Sequence, residues 1–270
     1  RRLARRTLNP HSAALAAKQL TDMASWIDGH LPLGEAGQPL VLVVPAEMAA
    51  VPWGALPALA GRQVALAPSA WSWAAATATP TSPMGTGDAL FVAGPGLPAA
   101  ATEVRSAAAA HPRSVVLDAT LATSAAAGAG VERAATAHVA AHYSPRRGNP
   151  LFSAFELADG PWFLHDLTRC DPLPATWVVP SCESAVGDTP VAGELLGLTS
   201  VLLGAGARSV VLSSGLVPDD EATVAAMTAL HRALAAGIGP AAALAEVLHD
   251  AGDSPAAVVL QATLACHGAW

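Results

Sequence analysis

Charge is scarce in this chain. Only 13% of its 270 residues are Asp, Glu, Lys or Arg, and Lys18 is the single lysine. The net charge of −7 excludes a general electrostatic attraction to nucleic acid. So few charges beside 52% apolar residues also exclude a solvated, disordered chain. Cysteine is scarce too: Cys170, Cys182 and Cys266 are an odd number without regular spacing. That argues against a disulfide framework and points to a reducing cytoplasm. Long hydrophobic runs are missing as well. The stretch 195–207 is broken by glycines and closed by Arg208, and the uncharged region around Trp71 carries Pro68, Pro80 and Pro83. No membrane association is expected. Methionine is absent from the first position, which is Arg1, so more chain is expected upstream and targeting signals cannot be read. The abundance of Ala, Gly and Pro reads as codon bias of a GC-rich bacterial genome.

What the chain does have is a series of short apolar runs. Residues 40–44 are wholly apolar, as in a strand covered on both faces. Further strands are expected at 89–93, 114–117, 136–141, 176–179 and 209–212, with an edge strand or hairpin at 63–66 and a last strand at 257–260. Phe155-Glu156-Leu157 and Trp162-Phe163-Leu164 flank Asp159-Gly160, a hairpin signal. Helices are expected after Asn9-Pro10, over 99–111, over 194–203, over 220–236 and over 240–249, with a surface loop at 74–88. Strands alternating with helices predict an α/β fold, a three-layer α/β/α sandwich around a mostly parallel sheet. Residues 1–30 read as a helical lead-in and 31–270 as the main domain.

Two strands end in chemistry. The run 176–179 stops at Pro180-Ser181-Cys182-Glu183-Ser184, and the run 136–141 stops at His142-Tyr143. In open α/β sheets the carboxyl edge is where ligands bind. A histidine tens of residues before a nucleophilic cysteine is the order of caspase-like peptidases, and here 182 − 142 = 40. The bland alternative, a buried structural thiol, suits Cys266 well and Cys170 moderately. It suits Cys182 poorly, because Ser181, Glu183, Ser184, Gly187 and Asp188 surround it with polar loop chemistry. A metal site from His138, His142, Cys170 or Cys182 lacks both the intervening acid of a zincin helix and a Cys-x-x-Cys pair. His138 reads instead as a satisfied core residue. Gly94-Pro95-Gly96 after a strand could open a phosphate loop, but it has no third glycine and a proline in the middle; a tight turn is sufficient.

At these residues the sequence resembles the CHAT family, caspase-like domains often attached to tetratricopeptide repeats, within the wider caspase–separase peptidase group. The resemblance runs from about Leu40 to Gly252. It is carried by Leu42-Val43-Val44-Pro45 with Val51-Pro52-Trp53-Gly54-Ala55-Leu56-Pro57, by His138-Val139-Ala140-Ala141-His142, and by Asn149-Pro150-Leu151-Phe152-Ser153 with Leu157-Ala158-Asp159-Gly160. Val179-Pro180-Ser181-Cys182-Glu183-Ser184, Gly193-Glu194-Leu195-Leu196-Gly197-Leu198 and the stretch from Gly204 to Val211 complete it, all in the family's order. Two positions depart: Tyr143 stands where the family usually has glycine, and Gly215-Leu216-Val217-Pro218 lacks the family's tryptophan.

The resemblance implies a cysteine endopeptidase with His142 and Cys182 as dyad and the backbone N–H groups of Tyr143 and Cys182 binding the oxyanion. No cofactor and no metal are called for. It implies a protein substrate and an upstream repeat domain or activating partner. A likeness to separases sets Asp219 and Asp220 beside the substrate pocket and favours a basic residue before the cut, although either acid is also a fitting N-cap for the helix running to Ala236. Arg146 and Arg147 would draw acidic segments instead. The rivals are a catalytically silent scaffold or regulatory binding module, for which Tyr143 speaks, and a nucleotide-binding domain built on the glycine turn.

Overall fold

A computed structural model describes residues 10–31, 37–45, 48, 51–79, 87–146, 148–180, 192–215 and 217–270. Among them the apolar runs form one eight-stranded sheet. Its order is β1 (Leu40–Val43), β2 (Val64–Ala67), β11 (Leu264–Gly268), β10 (Ser209–Ser213), β9 (Thr176–Val179), β5 (Ala134–Ala140), β3 (Asp88–Ala93) and β4 (Ser114–Leu117). A small antiparallel sheet of β6 (Tyr143–Ser144), β7 (Ala154–Leu157) and β8 (Gly160–Phe163) stands beside it. The expected hairpin is its β7–β8 pair, which turns through Gly160 at φ +120°.

Every adjacent pair in the large sheet is parallel except β10 with β11. The sheet is therefore two parallel blocks of opposite sense that meet at β11. The carboxyl ends of β10, β9, β5, β3 and β4 gather at one edge, and those of β1, β2 and β11 at the other.

Helices cover both faces, giving the three expected layers. One face carries α3 (Ala100–Ala108), α7 (Glu221–Ala235) and α8 (Pro240–Asp250), packed on Phe91, Val178 and Val211. The other carries α4 (Ser124–Val131), α5 (Leu164–Leu167), α6 (Ala192–Gly204) and the small sheet, packed on Trp177, Val179 and Leu212. Phe91, Phe155 and Trp177 have no solvent exposure. Each large apolar side chain so buried stabilises the fold by roughly 1.5–3 kcal/mol. The indole N–H of Trp177 is not left unpaired: it donates to Pro174 O at 3.0 Å.

Start signals in the sequence set several helix limits. Asp220 accepts from the N–H groups of Ala222 and Thr223 and caps α7. The remaining helices, α1 (Pro10–Asp28), α2 (Ala70–Ala78) and α9 (Pro255–Thr263), lie around the β1–β2–β11 block, where Ala24 of α1 is buried with Trp53, Leu56 and Leu59. Here the sequence reading needs correction. Residues 74–78 are not loop but the end of α2, started by a capping box between Ser69 and Ser72. Residues 257–260 are helical, because Ser254 and Pro255 open α9; the last strand begins only at Leu264. β2 is no edge strand, since β11 returns antiparallel to β10 and pairs with it. The edges are β1 and β4 instead, and Val43 of β1 is 53% exposed.

Candidate active site

β5 runs through the middle of the sheet, between β3 and β9. Its small side chains let helices approach from both faces, and its last four residues are buried. At its carboxyl end the chain leaves the large sheet. Ala140 O still accepts from Gly94 N at 2.9 Å, but His142 O accepts from Glu156 N at 2.8 Å, which ties the histidine backbone to β7. His142 is half-buried at this edge.

The floor beneath His142 is bare backbone. Gly96 has φ +80°, and a Cβ on it would lie 3.2 Å from His142 Nε2. A Cβ on Gly94 would come within 2.6 Å of both the Ala141 Cβ and Glu156 O. Both glycines are therefore needed for the approach of the 140–142 segment. The tight turn expected at 94–96 is there, and it makes room for the imidazole. Sequence reasoning missed this role, although two glycines at the end of a strand were its visible signal.

Tyr143 departs from glycine without filling the edge. Its side chain is 6% exposed and lies in the core beneath the small sheet, with its ring centroid 5.2 Å from that of Phe155. Successive residues of an extended chain point to opposite sides. The ring thus sits away from the side on which His142 meets Gly96.

The other expected site residues are distributed as follows. Cys182 and Arg147 lie outside the described residues. The backbone N–H of Arg146 donates to Ser153 Oγ at 2.9 Å, and its side chain is exposed. Asp220 is occupied as the α7 cap. Asp219 accepts from Ala99 N at 2.9 Å, which joins the start of α7 to the lead-in of α3, three residues beyond Gly96. Among the described residues of that set, His142 and Asp219 are the two whose surroundings reach the 94–99 turn.

His138 and Cys266 behave as core, and Cys170 is half-buried against it. His138 has no exposure, and its Nε2 lies 2.9 Å from Glu103 Oε1. Burial pushes the Cys266 thiol up to about 12. Burial first, then the charges of Glu132 and Asp166, raise that of Cys170. Neither is a poised nucleophile. Among the described residues no group of three or more His, Cys, Asp or Glu side chains could hold a metal ion. No helix among them is long and apolar enough to cross a membrane.

Comparison with known proteins agrees with this architecture. A family model described as the CHAT domain matches residues 2–262. No curated protein sequence matches the chain. Two crystal structures of the Saccharomyces cerevisiae separase–securin complex, at 3.0 and 2.6 Å, are similar in fold, each with a TM-score of 0.62. Their sequence identities are 13% and 14%, and each match covers 86% of this chain but only 15% and 16% of the other. The chain thus spans less than a fifth of the length of those proteins, and what is shared is a caspase-like α/β fold.

Proposed function

The chain belongs to the CHAT domain family, and from that premise we propose that it is a cysteine endopeptidase of the caspase–separase type, with His142 and Cys182 as its dyad. One observation carries this reading. β5 and β9 are parallel neighbours in a fixed register, Thr136 with Thr176, Ala137 with Trp177 and His138 with Val178, an offset of 40 residues. His142 and Cys182 follow these two strands and are separated by the same offset, 182 − 142 = 40. Strands that end side by side put whatever follows them at one edge of the sheet.

The chemistry needs no redox partner. The Cys182 thiolate attacks the scissile carbonyl carbon, forming a C–S bond while the carbonyl electron pair moves to oxygen. The N–H groups of Tyr143 and Cys182 hold that oxyanion, each worth about 3 kcal/mol by analogy with other hydrolases. As the intermediate collapses the C–N bond breaks and His142 gives its proton to the leaving amine. Water then attacks the thioester, His142 takes a proton from it, and the C–S bond breaks to regenerate the thiolate.

The buried Tyr143 ring supports this reading over a silent scaffold, because it leaves the edge above Gly96 free of bulk. Asp219 is the better of the two acids for recognising a basic residue before the cut: it belongs to the same edge, whereas Asp220 is spent on α7. Cleavage of a peptide library tests this, and a dominant acidic or bulky apolar preference at that position would contradict it. The separase neighbours were crystallised in complex with another protein, securin, and for this chain we propose an upstream repeat domain or partner as regulator. The reading as a whole is tested by turnover of a denatured protein substrate. Wild-type chain, with its partner if one is required, should cleave it, and His142→Ala and Cys182→Ala should not.

A further inference from the structure

Four polar side chains are joined in a line through the otherwise apolar layer between the sheet and α3 and α7. Glu103 Oε1 lies 2.9 Å from His138 Nε2. His138 Nδ1 lies 2.8 Å from His231 Nε2, and His231 Nδ1 lies 3.0 Å from His111 Nε2. All four residues are buried, His138 and His231 with no exposure and His111, at 8%, the least enclosed ring. Phe91 of β3 packs at a tilt against all three imidazoles, with ring centroids 4.9 to 5.8 Å away. The line thereby ties β5 through His138 to α3 through Glu103, to α7 through His231, and to the turn after α3 through His111.

Counting hydrogens fixes what this line can do. With Glu103 ionised and three neutral imidazoles, each ring carries its proton on Nε2 and donates toward the carboxylate, and every link holds one hydrogen. One more proton can enter without breaking a link. His138 then carries both protons, facing Glu103 as an ion pair, while His231 and His111 change to the Nδ1–H form. A second proton on the imidazoles cannot be taken up this way: wherever it sits on the three rings it sets two N–H groups against each other across a buried contact, and one link must open.

We propose that the Glu103–His138–His231–His111 line is a proton-counting latch, closed with zero or one added proton and opened by the second, which frees α7 and α3 from β5. The charges around it leave this arithmetic intact. On α3 the other ionisable side chain, Arg105, pairs with Asp118 at the surface. On β3 Asp88 pairs with Arg113, both partly exposed. On α7 Glu221 and Arg232 are exposed, as are Glu246, His249 and Asp250 on the adjoining α8. β9 and β10 contribute Val178 and Val211. Burial and then the charge of His138 lower the pKa values of His231 and His111. The opening proton is therefore taken up only below the ordinary histidine value near 6.5, and stability falls as pH falls through that region. The latch is independent of the peptidase reading, although α3 and α7 bear the Ala99–Asp219 contact at the same edge as His142.

The test is histidine side-chain nitrogen NMR of the whole chain from pH 8 to pH 4.5, with amide exchange of α7 followed in parallel. The first proton should switch His231 and His111 from Nε2–H to Nδ1–H with α7 protection unchanged. The second should lower that protection at least tenfold, after correction for intrinsic exchange. Rings that titrate independently with no change of tautomer, or α7 protection that stays constant through the second uptake, would overturn the proposal. In His231→Leu the acid loss of α7 protection should disappear. If that variant retains the loss, the latch lies elsewhere; if it does not fold, the wild-type measurement decides alone.

Discussion

His138 and His142 stand four residues apart on one strand and its continuation, yet they have opposite surroundings. His138 is sealed in the middle of β5, with both ring nitrogens within hydrogen-bonding distance of a partner and an aromatic ring against it. His142 stands half-buried at the carboxyl edge, over a glycine that leaves its imidazole room. The same side chain is a strut in one place and a candidate acid–base in the other. Depth along the strand decides between the roles, because an imidazole sealed in the core has no substrate or water to exchange protons with, whereas one at the edge has.

That contrast can be broken by mutation. The largest effect is expected at the edge: His142→Ala should reduce turnover on the order of 10⁴-fold with a nearly unchanged melting temperature, as should Cys182→Ala. His138→Ala should do the reverse. It leaves the Glu103 carboxylate buried without its partner, a loss of about 3–5 kcal/mol in denaturant unfolding, while turnover per folded molecule survives. Near-normal turnover in His142→Ala, or an unchanged stability in His138→Ala, would erase the distinction.

Another buried histidine sharpens it further. Among the described residues neither ring nitrogen of His267 on β11 has a partner, and burial lowers its pKa to about 4. Its unfolded form takes up a proton below about 6.5 and its folded form only near 4, so its contribution is complete above 6.5 and lost as pH falls toward 4. The loss approaches roughly 3 kcal/mol. His267→Leu should flatten that part of the pH–stability curve and raise stability at neutral pH, since no partner is lost. A slope unchanged in the variant would assign the acid sensitivity elsewhere. The smallest effect is expected at Cys266, where Cys266→Ser places a hydroxyl in an apolar cluster. It should cost about 1–2 kcal/mol in a urea melt and leave turnover intact; a loss of turnover there would give Cys266 a role beyond packing.

Most strands of the large sheet were legible in the sequence because their runs are short, apolar and bounded by helix signals; the central strand 176–179 and the edge strand 114–117 are observed at the expected limits. The periphery was less so. The alanines of 257–263 suit helix and strand alike until Ser254-Pro255 is read as a helix start, and the edge position of β1 depends on where β11 returns, which no local pattern encodes. Of the candidate site, His142 was legible from its place after a strand, and so was the core reading of His138. Its partners Glu103 and His231, and His111 beyond them, were not, because they come from distant elements at spacings that no motif captures. The departure at Tyr143 looked obstructive in sequence because the direction of its ring is set by the small sheet.

The dyad is tested most directly by labelling with a substrate-like thiol-reactive peptide, read by mass spectrometry at each of Cys170, Cys182 and Cys266. The account predicts rapid modification of Cys182 alone at pH 7, slowed at least a hundredfold in His142→Ala and unchanged in Cys170→Ser and Cys266→Ser. Labelling of Cys182 at the rate of an ordinary exposed thiol, indifferent to His142, would contradict it.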